Sequence, residues 1–495
     1  MSIRDIPPEI LSLILGQLFE YQEDDDPESP IHYGHLRNAR LVCRQWNDLA
    51  IGHLFRTLVL DYAPENEVRL AKDMPWTQAV NSETIQPVVQ DVILFSHPDA
   101  LDMDDESVSD AEDWVTEEDD DDGSGAFAVA VNTGIAQLPN LKSVQIWFSE
   151  NCIGARETEW WEEGEEIESI SHRLQTLKTV FGAIQKRRAD TRTSTIRSLT
   201  LKNLQNVPIP DFTASELYKD VIKDVNELNL LITHEYHEPG PDHDLGRIER
   251  QTFEPYLEKE LLPPLADQLT SLTLTFRECW GTIPAHFDGK GLLFPNLKTL
   301  TLGEFVIGHH DHFDWVLAQK SIETLRLDRC FIVSYLRIWG DSMDEWGVPT
   351  HDWHQYPEGS FGFYGSQIFG FSGTWEAVYE GIRKGLPKLR EFASVHHRWY
   401  NTFDRREDMG ADMSLSRYII FDSGLCPSPW ITVDDEYTGD MYFGNNDPTV
   451  CPREEVEGRI RCRREKVLNR AKETEVGDTR AFRDLLREVR ERQRE

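Results

Sequence analysis

The chain has 495 residues, of which 39% are apolar and 14 are tryptophan, and its formal net charge is −37. That length accommodates two or three domains or one long repeat array, and that apolar content argues against global disorder. The negative balance disfavours surfaces that neutralise phosphates with Lys and Arg, so neither a nucleic-acid partner nor an anionic membrane is expected.

The first predicted elements lie within sixty residues of the N-terminus. Pro7 and Pro8 close an extended lead-in and suit the opening turn of a helix, where a missing N–H is harmless. Ile10, Leu11, Ile14, Leu15 and Leu18 then recur at helical spacing. Residues 21–35 form an acidic, proline-bearing insertion. A second apolar helix follows, carried by Leu41, Val42, Trp46 and Leu49, and Cys43 inside it is expected to be a buried, inert thiol. Two helices this short cannot build a substantial core, so they must dock on the rest of the chain, on a partner, or on both.

Ile6, Pro7, Glu9, Ile10, Ile14 and Leu18, followed by Leu36, Arg40, Val42, Cys43, Trp46 and Leu54, resemble the F-box, the adaptor-binding module of cullin–RING ubiquitin ligases. The insertion at 21–35 departs from the family's short connection, although a surface loop absorbs such length at low entropic cost. The resemblance implies an F-box domain at 1–56 that docks the Skp adaptor, and through it a cullin. Its contacts would be Pro7, Ile10, Leu11, Leu15, Leu18, Leu41, Val42 and Trp46. The alternative is that these helices merely cap a larger domain.

From Leu54 onward a weak repeat recurs. Ile322, Leu325, Leu327, Cys330 and Ile332 fit the leucine-rich spacing LxxLxLxxCxL, and Leu297, Leu300, Leu302, Phe305 and Ile307 nearly do. Leu269-Thr-Ser-Leu272-Thr-Leu274, Ile196-Arg-Ser-Leu199-Thr-Leu201 and Val225-Asn-Glu-Leu228-Asn-Leu230 match its first half, and Leu138/Leu141 and Leu386/Leu389 are looser copies. Each LxL puts two leucines on one face of a short strand, and stacked copies bury what one copy cannot. Returns of helical character are predicted at residues 170–186, 312–319 and 375–383. The expected fold class is therefore α/β: an N-terminal helical F-box followed by an irregular leucine-rich-repeat solenoid with a parallel sheet, spanning 57–430. An ordinary α/β domain with several apolar strands is the alternative. An F-box ahead of degenerate leucine-rich repeats resembles a common family of fungal F-box proteins, to about Phe421.

Three segments interrupt the array. Residues 102–122 are dense in Asp and Glu and are expected to be a disordered loop. Residues 157–168 form a second acidic insertion carrying Trp160 and Trp161. Residues 339–375 are rich in glycine and aromatics, and Trp346, Trp353, Phe361 and Tyr364 are the candidates for contact with a protein substrate; the same rings could instead seal the open end of the solenoid. Residues 431–495 are expected to end in a charged helical tail with Phe482, Leu485, Leu486 and Val489 on one face.

No catalytic constellation emerges, and the chain is read as a non-enzyme without cofactor or metal. Gly308-His-His-Asp-His312 is the densest group of metal-ligand types, but no second pair follows at zinc-like spacing, so a solvated loop is expected there. His234-Glu-Tyr-His237 is one residue short of HExxH. The seven cysteines are scattered and never form CxxC, which suits free thiols in a reducing interior. No secretory signal or membrane span is read, so a soluble protein of the cytoplasm and/or nucleus is expected. Ser107, Ser109 and Thr116 have the acidic flanks of acidophilic-kinase substrates, although an unmodified solubilising loop is the simpler reading. Taken together, the sequence reads as the substrate-recognition subunit of an SCF-type ligase; the alternatives are a leucine-rich scaffold without ligase recruitment and an enzyme with an unrecognised site.

Overall fold

The structure is a computed structural model that describes residues 7–16, 34–60, 75–96, 126–152, 167–234, 248–283, 285–339, 349–358, 360, 365–395, 417–422, 425–428, 430–432, 455–456, 459–460 and 465–494. The acidic segment 102–122, the Trp160/Trp161 pair, Ser107, Ser109, Thr116, Leu18, Trp346, Phe361 and Tyr364 lie outside these residues. Two compact units are distinguished. The first runs to Gln205 and includes Asp211–Leu231; the second comprises Asn206–Pro210 and most of the chain after Ile232.

The first unit opens with helices α1 (Pro8–Gly16), α2 (Gly34–Ala39) and α3 (Arg44–Leu54). Strand β1 (Thr57–Leu60) is followed by α4 (Pro75–Val80), β2 (Asp91–Phe95), α5 (Ala126–Gln137) and β3 (Ser143–Trp147). The two-residue strands β4 (Asn151–Cys152) and β5 (Ile167–Glu168) precede α6 (Ile170–Arg188), β6 (Ser198–Gln205), α7 (Pro210–Ala214), α8 (Glu216–Ile222) and β7 (Glu227–Thr233). The predicted helix at 170–186 begins where Ser169 caps it, its hydroxyl accepting from the His172 N–H at 3.1 Å. Leu177, Val180, Phe181 and Ile184 line its buried face.

Strand order in this unit follows chain order, β1-β2-β3-β6-β7. Strands β1, β2, β3 and β6 are parallel, and their apolar positions align across the sheet: Leu58, Val92, Val144 and Leu199 form one row, and Leu60, Leu94, Ile146 and Leu201 the next. Every member of both rows is buried. The same device starts each strand. The carbonyl of Arg56 accepts from both Gln90 and Asp91, that of Gln90 from Lys142 and Ser143, that of Lys142 from Arg197 and Ser198, and that of Arg197 from Asn226 and Glu227.

The second unit contains α9 (Ile248–Tyr256), β8 (Ser271–Trp280), β9 (Thr299–Ile307), α10 (Asp314–Ala318), β10 (Thr324–Asp328) and β11 (Phe331–Trp339). Then come β12 (His354–Tyr356), β13 (Ser366–Gly370), α11 (Trp375–Gly385), β14 (Glu391–Val395), β15 (Tyr418–Asp422) and, after further short strands, α12 (Ala471–Arg492). Leu272, Leu300, Leu325 and Phe392 form one lateral row, and Leu274, Leu302, Leu327 and Ser394 the next, over the parallel strands β8, β9, β10 and β14. Thr270, Lys298 and Glu323 repeat the doubly accepting carbonyl at the strand starts. The predicted helices at 312–319 and 375–383 appear as α10 and α11, the latter capped by the Thr374 hydroxyl. The charged C-terminal segment lays Ala481, Phe482, Leu485 and Val489 into this unit, with Phe482 against Tyr379 and Phe392.

Strand β9 changes partner midway. Its residues through Gly303 pair with β10, and Val306 and Ile307 pair with β11. The change occurs at two left-handed residues, Glu304 at φ 61° and Arg329 at φ 48°, whose side chains form an ion pair. Burial pushes the Glu304 carboxyl up to about 8; Arg329 pulls it down, while Asp328 and Glu278 push it further up. Between its ordinary value and about 8 the folded chain holds a proton that the unfolded chain releases. This contribution to stability is thus complete below the ordinary carboxyl range and is lost as pH rises through about 8. Glu304→Gln is expected to flatten the melting-temperature difference between pH 5 and pH 8 relative to the parent protein, measured by differential scanning calorimetry.

Candidate docking surface

Helices α1, α2 and α3 close a small core of their own. Leu11, Leu15, Leu36, Ala39, Ala50 and Leu54 are buried together, with Trp46, Leu49 and Phe55 packed against them. Leu11 and Leu15 stand four residues apart, so both fall on one side of α1 and face this core. The Ser12 hydroxyl and the His53 imidazole meet at 3.0 Å and tie α1 to α3; burial lowers the affinity of that imidazole for a proton.

Among the described residues the opposite side of α1 has no such cover. Ile10, Leu13 and Ile14 recur at spacings of three and four and are 49%, 68% and 45% exposed. In the turn between α2 and α3, Leu41 is 83% and Val42 57% exposed. These five account for most of the seven large apolar side chains exposed among the described residues, the others being Leu293 and Val476. Scattered apolar side chains at a surface are ordinary, but their concentration on one small three-helix element makes it the candidate docking surface.

The structure sorts the predicted adaptor contacts into two sets. Pro7, Ile10, Leu41 and Val42 are exposed, whereas Leu11 and Leu15 are buried and Trp46 is half-buried, so these three hold the element together from within. Leu13 was not among the predicted contacts, although its place three residues after Ile10 would have indicated it. Two local expectations are corrected. Leu41 and Val42 lie in a turn, not in the second helix, and Cys43, at the N-cap position of α3, is exposed. The physical reason is that α2 ends at Ala39 and the turn bonds Leu41 N to Asn38 O and Val42 N to Ala39 O, which turns these side chains away from the core.

Of the predicted substrate contacts, Trp353 is the one among the described residues, and it is buried. Its indole N–H donates to the Gly308 carbonyl at 2.5 Å, and its ring stacks near Phe371 at 5.9 Å. It anchors the segment that carries it. The histidine cluster departs from the expected solvated loop. His309 and His312 are buried, with the Nδ1 of His312 accepting from Gly308 N at 3.1 Å and its Nε2 donating to the Phe287 carbonyl at 2.5 Å.

No curated protein matches the chain. A family model described as F-box-like matches residues 3–61, the segment that contains α1, α2, α3 and β1.

Proposed function

We propose that the chain is the substrate-recognition subunit of an SCF-type cullin–RING ubiquitin ligase. The F-box-like domain docks the Skp adaptor, and through it a cullin, while the parallel-strand region holds a protein substrate. The chain itself performs no chemistry; it raises the effective concentration of the substrate beside the ligase's catalytic partner.

The observation that carries this reading is the exposed apolar set Ile10, Leu13, Ile14, Leu41 and Val42 on an F-box-like domain whose own core is already filled by Leu11, Leu15, Leu36, Ala50 and Leu54. A helical cap would spend its apolar residues on its own chain; these remain available to another. For the second region, the support for a leucine-rich-repeat solenoid is the monotonic strand order in the first unit, the aligned LxL rows in both units and the recurring doubly accepting carbonyls. Outward-facing strand positions would then form the substrate surface, which lies in this repeat region and not at Trp353.

Cys43 supplies a probe of the docking face, since it adjoins Val42 and its thiol is exposed whereas Cys152 and Cys330 are buried. In the free chain, maleimide is expected to label Cys43 well before Cys152 and Cys330, read peptide by peptide by mass spectrometry. Saturating Skp adaptor should slow the labelling of Cys43 by about tenfold or more. Unchanged labelling with adaptor demonstrably bound would place the contact elsewhere.

A further inference from the structure

We infer that His309, His351 and Asp352 form a binding site for one first-row divalent cation of the zinc type. The three lie in the second unit, where the end of β9 meets the loop that leads into β12. Each offers an imidazole nitrogen or a carboxylate oxygen, and these atoms all lie within 4.8 Å of one another.

The arrangement is partly built. Asp352 Oδ1 stands 2.5 Å from His309 Nδ1 and fixes that ring, and Asp352 Oδ2 accepts from the His310 N–H at 3.0 Å. The His351 ring lies parallel to that of His309, with centroids 4.7 Å apart and planes 3° from coplanar. An ion coordinated there would replace the proton that His309 Nδ1 and Asp352 Oδ1 share, with both atoms as its ligands. His309 is buried, so packing as well as the Asp352 contact holds its ring in place.

Two imidazoles and one carboxylate suit zinc and its neighbours better than Mg²⁺ or Ca²⁺, which prefer an all-oxygen shell. Ligands about 2.1 Å from a tetrahedral ion stand about 3.4 Å from one another, so the His309–Asp352 pair must open by roughly an ångström while the His351 nitrogen closes in. His351 is exposed and can supply that by rotating its ring. Three protein ligands leave a fourth position for water. The ion would staple the loop bearing His351 and Asp352 to the end of β9, reinforcing the bond from Trp353 to Gly308.

The test uses the full chain with millimolar Mg²⁺ present to occupy acidic surface segments. Zn²⁺ is expected to raise the melting temperature, and Co²⁺ to bind at one equivalent with the visible absorption of a low-coordinate nitrogen and oxygen site. His351→Ala, an exposed change that leaves the core intact, and Asp352→Asn should each weaken Co²⁺ binding by about tenfold or more. His310→Ala, whose ring faces Ser372 at 3.1 Å instead, should leave it unchanged. Absence of saturable Co²⁺ binding at 100 μM, or undiminished affinity in His351→Ala, would overturn the assignment.

Discussion

Leu13→Asp combined with Leu41→Asp is expected to abolish capture of the Skp adaptor by the full chain while leaving its folded stability nearly unchanged. Both side chains are mostly exposed, so a carboxylate at either place stays hydrated in the free chain, and surface changes of this kind stay within about 0.5 kcal/mol. In a complex the same carboxylates would be buried against an apolar partner without a counter-charge, at a cost of about 3–5 kcal/mol each. Even one such penalty is a loss of more than about 100-fold in affinity. Leu15→Ala gives the converse result. It removes a fully buried side chain from the three-helix core and is expected to cost about 2–5 kcal/mol locally, so any loss of adaptor binding would follow from unfolding of the element. Comparing the two by co-purification and by thermal melting separates a docking face from a packing face.

The second large effect concerns the C-terminal helix. Asp478 is fully buried on α12 and accepts four hydrogen bonds: from the Glu376 N–H at 2.8 Å, from Arg417 Nε at 3.1 Å, from the Tyr418 hydroxyl at 3.0 Å and from the Thr474 hydroxyl at 2.8 Å. The Glu376 N–H belongs to the first turn of α11, so the carboxylate also answers the positive end of that helix. Arg417 is equally buried, and it bonds the Ala471 carbonyl and, at 3.3 Å, the Thr474 hydroxyl as well. One carboxylate thus joins α12, the first turn of α11 and the start of β15. Asp478→Ala leaves the buried guanidinium of Arg417 without its counter-ion, and the expected loss is about 3–5 kcal/mol, read as a lower urea midpoint. Asp478→Asn keeps the shape and some of the bonds but not the charge, and should fall between the two. Exposure of Phe482 and Tyr379 to solvent, followed by fluorescence, would report release of the helix.

The legibility of the sequence followed the range of the forces involved. The F-box-like helices were readable because α1 writes its faces in spacings of three and four, and the LxL strands because leucines two apart share one face of a strand. Which of the N-terminal leucines would be buried was not readable from spacing alone. Leu41 and Val42 precede Trp46 at roughly helical spacing, yet the end of α2 at Ala39 turns them outward. The same turn exposes Cys43, which apolar neighbours had suggested was inside.

Longer-range features left weaker traces. Asp478 lies in a charged stretch where any carboxylate would be read as solvated, and its burial depends on Arg417, 61 residues earlier. His309 and Asp352 meet across 43 residues, a separation that matches no local metal-ligand spacing. The partner change in β9 is likewise set by two positive-φ residues, Glu304 and Arg329, neither of which is the glycine or asparagine that ordinarily announces that conformation.

The most direct test of the account is isothermal titration of the purified full chain with purified Skp adaptor. A saturable one-to-one complex tighter than about 1 μM, lost in the Leu13→Asp/Leu41→Asp chain, is the predicted result. No heat of binding with adaptor at about 50 μM, from a chain whose melting curve shows it folded, would contradict it.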